Sequence, residues 1–160
     1  MKTLIVHYSR TGITRKAAQD LAGLLQADLE EVLDLKDRGG AVGFLGGGKD
    51  AALKKLTEIS PSGKDAGQYD LVVVGTPVWA FTMAPAIRTW LTQHAAQIKQ
   101  TAFYCTMGGS GQERTFRDME ALAGKTPLAT LALIDRDVKA DLHKTALEQF
   151  AKQIQEAAKP

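Results

Sequence analysis

Three short stretches of this 160-residue chain bring together residue types that can hold an anion and a flat ring. The first, Ser9-Arg10-Thr11-Gly12-Ile13-Thr14, sets three hydroxyl donors within six residues. Where a buried strand ends and a helix begins, unpaired backbone N–H groups converge. The helix start also carries about +0.5 of dipole charge, which favours an anion such as a phosphate. Gly12 lets the backbone come close to such a group. An ordinary capped helix start accounts for the same residues, because Ser and Thr are common caps. The second stretch, Thr76-Pro77-Val78-Trp79-Ala80-Phe81, offers an indole that stacks on a flat ligand or packs against the following helix. The third, Thr106-Met107-Gly108-Gly109-Ser110-Gly111, has three glycines that let a planar ring lie against backbone amides.

Other chemistries are excluded by what the same stretches lack. A nucleoside-triphosphate loop ends in Gly-Lys-Ser/Thr, and a dinucleotide fingerprint carries three spaced glycines; the first turn has only Gly12. A phosphorylated receiver domain needs carboxylates at its strand ends, where this chain has His7-Tyr8 and Gly75-Thr76. Cys105 has no arginine six residues on, as a phosphatase loop requires, and reads as a small buried apolar residue. Ser110 stands in no Gly-x-Ser-x-Gly elbow. His7, His94 and His143 lack metal-ligand spacing, and His94 falls on an apolar helical stripe as a structural residue. By type alone, Arg10 and Arg136 read as solvated cations, with approach to a phosphate or substrate as the alternative.

The elements that must position these stretches follow from hydrophobic periodicity. Leu4–Tyr8, Leu71–Gly75, Ala102–Cys105 and Leu128–Leu133 read as strands, with Asp28–Leu33 a weaker one whose acidic residues suit an edge. Ile13, Ala17, Leu21, Leu24 and Leu25 recur at helical spacing, as do Ile87, Trp90, Leu91 and His94 behind Pro85. A helix is expected from about Gln112 to Ala123, and a last one marked by Leu142, Ala146, Phe150 and Ile154. The glycine-rich Gly39–Gly48 segment reads as a flexible linker, with a lid or docking surface as the alternative, and Ala51–Leu56 as a short helix. Strand and helix alternating five times predict a parallel sheet covered on both faces, with right-handed crossovers. Ligands in such sheets sit at the carboxyl ends of the strands, where the three stretches lie.

Composition agrees with a single globular domain over residues 1–160: 44% hydrophobic and 24% charged residues, one cysteine, and a net charge of +2. That charge is too small for a nucleic-acid protein. No apolar run reaches the length of a secretory signal or a membrane span. A soluble, cytoplasmic protein without nucleic-acid or membrane partners is therefore expected, a lone cysteine fitting a reducing compartment. Trp90, Phe44 and Leu45 are candidates for a dimer surface.

With these residues in place the chain resembles the flavodoxin family, over nearly its whole length. Tyr8-Ser9-Arg10-Thr11-Gly12-Ile13-Thr14 is similar to the family's phosphate loop, Gly75-Thr76-Pro77-Val78-Trp79 to the loop whose Trp flanks the isoalloxazine, and Cys105–Gly111 to the loop along the pyrimidine edge. The resemblance implies a three-layer α/β/α fold with a five-stranded parallel sheet in the order 2-1-3-4-5. It implies non-covalent FMN held by Ser9, Arg10, Thr11, Gly12, Ile13, Thr14, Thr76, Pro77, Val78, Trp79, Thr106, Met107, Gly108, Gly109 and Gly111, with no catalytic side chain because the flavin carries the chemistry. Four features depart from the family's electron carriers. Ile13 replaces the usual Asn, Ala80 replaces the Gly after the Trp, the third loop lacks a covering Tyr, and the chain is slightly basic. An uncovered flavin face would admit a nicotinamide or a quinone. Two functions follow: electron transfer with a redox partner protein or small-molecule acceptor, and NAD(P)H-dependent reduction of quinones or nitro compounds. A non-catalytic interaction protein on the same fold ranks below them.

Overall fold

The Val-rich run forms the spine of the sheet. In the computed structural model, which describes residues 1–158, β3 (Leu71–Trp79) pairs in parallel with β1 (Thr3–His7) on one side and β5 (Gln100–Met107) on the other. Leu71 to Val74 are fully buried, as a strand covered on both faces requires. β2 (Asp28–Glu31) and β6 (Thr130–Ile134) form the edges, giving five parallel strands in the order β2-β1-β3-β5-β6. This is the expected 2-1-3-4-5 winding, to which β4 (Thr82–Met83) adds a short antiparallel partner for β3.

Each face of the sheet has its own core. On one, Val6, Val74 and Phe103 meet Ile87, Trp90 and Leu91 of α3 (Pro85–His94) and Met119 of α4 (Gln112–Ala123). On the other, Ile5, Val73 and Tyr104 meet Leu21 of α1 (Ile13–Leu25) and Leu147, Phe150 and Ile154 of α6 (Lys144–Ala157). The last helix therefore turns Leu147, Phe150, Ala151 and Ile154 inward, while Leu142 lies before it and is exposed. Trp90 is buried, so it belongs to the core and not to a dimer surface. His94 stacks on it at 4.6 Å and is hydrogen-bonded through Nδ1 to the Trp90 carbonyl, the structural role expected of it.

The glycine-rich segment is not a linker. It forms α2 (Gly40–Ala52), with five glycines in thirteen residues, each costing about 1 kcal/mol relative to Ala in a helix interior. Packing overrides that cost along one stripe. A side chain at Gly43 would overlap the Arg38 backbone, and one at Gly47 would lie 2.7 Å from the Trp79 ring. One turn on, buried Asp50 accepts from Lys36 Nζ and Arg38 Nη1, both at 2.7 Å, while Arg38 Nε donates to Asp34 at 3.0 Å. Hydrogen bonds from Lys36 and Arg38 hold the Asp50 carboxyl down at about 2. The expected short helix over Ala51–Leu56 is only the end of α2, which stops at Ala52.

The second stretch is likewise less of a loop than expected, because β3 runs through Trp79 and turns back into β4. The two turn residues, Ala80 and Phe81, both have positive φ (48° and 64°), as in the two-residue hairpin turns that normally use Asn-Gly. Thr82 holds the returning strand: its hydroxyl donates to Asp118 (2.7 Å) and accepts from buried Arg88 (3.0 Å). Left-handed backbone costs an L-residue about 1–2 kcal/mol, and Asn tolerates it better than Ala. Ala80→Asn is therefore expected to stabilise the protein by about 1 kcal/mol, read as a higher urea midpoint at unchanged slope.

Candidate functional site

The carboxyl ends of β1, β3, β5 and β6 surround a cavity of about 430 Å³, within the size range of small-molecule sites. Arg10, Thr11, Ile13 and Thr14 line it from the first stretch, Pro77, Val78 and Trp79 from the second, and Thr106 and Gly108 from the third. Nine of the fifteen expected site residues thus converge on one space. Phe44 of α2 and Asp135 and Lys139 of α5 (Asp135–Lys139) complete its lining.

At one end lies the start of α1. Gly12 caps that helix in the left-handed region (φ 94°), with no side chain bonded across the first turn. The Gly12 N–H donates to Ser9 Oγ (3.0 Å), so Ser9 folds the turn and its hydroxyl is occupied. The first-turn N–H groups after Gly12 have no partner within the helix, which makes the turn electropositive. Thr14 is held from two sides. Its hydroxyl meets that of Thr106 at 2.7 Å, and its carbonyl accepts from the Tyr104 phenol at 3.1 Å. Tyr104 reaches that carbonyl by crossing over Gly75, its neighbour in the sheet, where any side chain would overlap the phenol ring.

The other end is aromatic. Trp79 meets the ring of buried Tyr8 edge-on (centroids 5.5 Å apart, planes at 86°), and Gly47 of α2 packs against it. Burial pushes the Tyr8 phenol up to about 12, so the ring stays neutral. Arg10 is not the solvated cation its type suggested. It lies 5.3 Å from the Phe44 ring and donates through Nη1 to the Arg38 carbonyl at 3.4 Å. It also borders a second cavity of about 280 Å³, whose lining mixes Arg15, Lys36 and Arg38 with the carboxylates of Glu31, Asp34 and Asp37.

Six expected residues do not line the main cavity. Ser9 and Gly12 shape its first turn. Thr76 faces inward, its hydroxyl donating to the Pro77 carbonyl and accepting from the Ala84 N–H. Met107 is buried, and Gly109 is exposed outside the lining. Gly111 (φ 108°) caps α4, its bare Cα admitting Val78 and Phe81 at distances a side chain would violate. Phe44 was hidden because its segment read as a linker. Asp135 and Lys139 follow the fifth strand, whose carboxyl end obeys the same rule that singled out the other three. Burial raises the Asp135 carboxyl while Lys139 opposes the shift.

Cys105 offers no nucleophile: burial pushes its thiol up to about 12. His7 sits in β1 between Glu31 and Gly75, buried, with neither ring nitrogen bonded. Burial holds it down at about 4 against an ordinary 6.5. Between those values the unfolded chain takes a proton that the folded chain refuses, so stability falls as pH drops through that window. The slope from His7 reaches at most about 1.4 kcal/mol per pH unit. In His7→Leu, urea midpoints measured from pH 7 to pH 5 are expected to lose that component.

Among the described residues no cluster of three or more His, Cys, Asp or Glu is placed to hold a metal, and no helix is long and apolar enough to cross a membrane. A family model described as Flavodoxin matches residues 49–151. No curated protein matches the chain. Of the solved structures, a flavoprotein from Lactobacillus acidophilus NCFM, in complex with FMN, is 26% identical with a TM-score of 0.73; the match covers 87% of this chain and 97% of that one. The flavodoxin of Megasphaera elsdenii in its two-electron reduced form is 15% identical (TM-score 0.60, 98% and 97% covered). A flavodoxin, WrbA-like protein from Agrobacterium tumefaciens is also 15% identical (TM-score 0.59, 98% and 96% covered), and both are likenesses of fold.

Proposed function

This chain belongs to the flavodoxin family, and from that premise we propose that it holds FMN non-covalently in the 430 Å³ cavity and serves as a redox protein. One observation carries the reading: a helix start with no side-chain cap and an indole open into the same cavity. The N–H groups of the α1 start and the Thr11 hydroxyl would take the phosphate, with Thr14 kept in register by Thr106 and Tyr104. Trp79, braced by Tyr8 and α2, would lie against the ring system, and the third loop along its pyrimidine edge. Bound there, the flavin supplies the electron transfer, while the chain supplies binding, orientation and exclusion of water. The solved relative that binds FMN, at 26% identity, supports the assignment. The electrons would pass to a redox partner protein or a small-molecule acceptor, and the lone, buried Cys105 fits a reducing cytoplasm.

The binding test compares FMN with riboflavin by fluorescence quenching. FMN is expected to bind at least a hundredfold more tightly, since only it carries the group that the α1 start would hold. Equal affinities would remove the phosphate assignment. The third loop, Thr106 to Gly111, carries no aromatic side chain to cover the outer flavin face, and this favours a second reading, in which NAD(P)H reduces the flavin directly for turnover of quinones or nitro compounds. Anaerobic mixing of reconstituted protein with NADPH or NADH separates the two. Rapid bleaching of the flavin bands marks a reductase; bands that persist with both nucleotides mark a carrier served by a separate reductase.

A further inference from the structure

The excursion between β2 and β3 carries an apolar surface that the flavin reading does not use. Of eleven exposed large hydrophobic residues among those described, seven fall between Leu33 and Leu56. The stripe of α2 that meets the body is made of Gly43, Gly47, Asp50 and Ala51, with Ala51 its only buried side chain that is apolar. Its solvent half therefore presents Ala41, Val42, Phe44, Leu45 and Ala52, with Lys49 as its one charge. This reverses the usual arrangement, in which the apolar side of a surface helix faces the core. Val42 is 85% exposed and Leu45 70%, so these side chains stand out from the body and line no groove. A partner of fixed shape would need a matching trough, whereas a fluid apolar medium closes around a convex face.

Charge at the border selects the medium. Between residues 33 and 58 the exposed charged side chains are Lys36, Lys49, Lys54 and Lys55 against Asp37 and Glu58. The carboxylates nearest Lys36, Lys54 and Lys55, those of Asp50 and Asp118, lie mostly buried beneath them, and the ammonium ends form the outer layer. An apolar helix face bordered by lysines is the pattern of a helix lying in the plane of an anionic bilayer surface. We propose that this face docks on anionic lipid, with Val42, Phe44 and Leu45 at the headgroup–acyl boundary and the lysines on lipid phosphates. Lying on a bilayer needs no spanning segment, so the absence of an apolar run long enough to cross one does not bear on it. Phe44 also borders the cavity, so docking would turn the cavity mouth toward the lipid, where apolar ring compounds concentrate.

The test uses the full chain as purified, without added flavin, so its outcome is independent of the FMN reading. The protein is sedimented with vesicles of phosphatidylcholine alone and of phosphatidylcholine mixed equally with phosphatidylglycerol. It is expected to bind the mixed vesicles, to release as salt is raised, and to stay in solution with neutral ones. Val42→Asp combined with Leu45→Asp is expected to lower the partition coefficient at least tenfold with unchanged far-ultraviolet circular dichroism. Lys49→Glu, which leaves the apolar face intact, is expected to lower it severalfold. The proposal is overturned if wild type ignores the mixed vesicles, if it binds neutral ones equally, or if the substitutions change nothing. It also fails if sedimentation velocity shows a dimer that the double substitution splits without any vesicle binding, since a second copy would then be the occupant.

Discussion

Thr11→Glu is expected to abolish FMN binding while leaving the fold intact. Thr11 is exposed at the cavity wall, ahead of the α1 start, and its side chain supports nothing in the core. A carboxylate placed there would face a phosphate carrying between one and two negative charges. At about 4–5 Å and an effective dielectric near 20, each unit pair costs about 3–4 kcal/mol. The dissociation constant should therefore rise at least several hundredfold. Thr11→Ser keeps the hydroxyl and should stay within a few-fold of wild type. Riboflavin, which lacks the phosphate, should respond much less to Thr11→Glu than FMN does. A Thr11→Glu protein that titrates with FMN like wild type would falsify the phosphate end of the cavity.

Gly75→Ala should produce the largest loss of stability of any single methyl group added near the site. The new carbon would overlap the Tyr104 ring, which is fully buried between the sheet and α1 and cannot swing into solvent. Overpacking of this kind costs about 3 kcal/mol or more when the neighbour has no room. For a domain of this size that lowers Tm by roughly 6–12 °C. The ring can yield only by withdrawing its hydroxyl from the Thr14 carbonyl, so flavin affinity should fall together with Tm. Tyr104→Leu in the same molecule removes the ring that is struck. The double variant should be more stable than the sum of the two single effects predicts, a coupling that identifies the overlap as the cause. Strict additivity would mean that Gly75 matters for some other reason.

The parallel sheet and its winding were legible because β1, β3 and β5 are short apolar runs separated by helical periodicity, a local signal that tertiary contacts reinforce. The first turn was legible for a similar reason, since hydroxyls and a glycine between a strand and a helix have few other uses. The interior of α2 was not. Its glycines oppose helix formation in isolation, and two of them, Gly43 and Gly47, sit so close to the Arg38 backbone and the Trp79 ring that a side chain would overlap, contacts that no local pattern reveals. Phe44 was lost from the site along with its helix. The β3–β4 hairpin was hidden because Ala80 and Phe81 lack the Asn-Gly chemistry of such turns, the return strand being held by Thr82, Asp118 and Arg88 from two other elements. Leu142 and Leu24 show the opposite error. Each kept helical spacing with its neighbours and is nonetheless exposed, so spacing alone overstates which side chains a helix buries.

The hydroxyl pair of Thr14 and Thr106 joins positions 92 residues apart, and the Tyr104–Thr14 bond spans 90. The cavity therefore has no local subunit that could survive alone: parting the first turn from the end of β5 dissolves it. A ligand held there protects the whole molecule, by an amount that grows with the logarithm of its free concentration over its dissociation constant. Proteases act on the opened chain, so the lifetime of this protein in a cell should follow the flavin supply. Starvation for the vitamin would then deplete the polypeptide itself as well as its activity, and restoring the vitamin would restore abundance without new transcription.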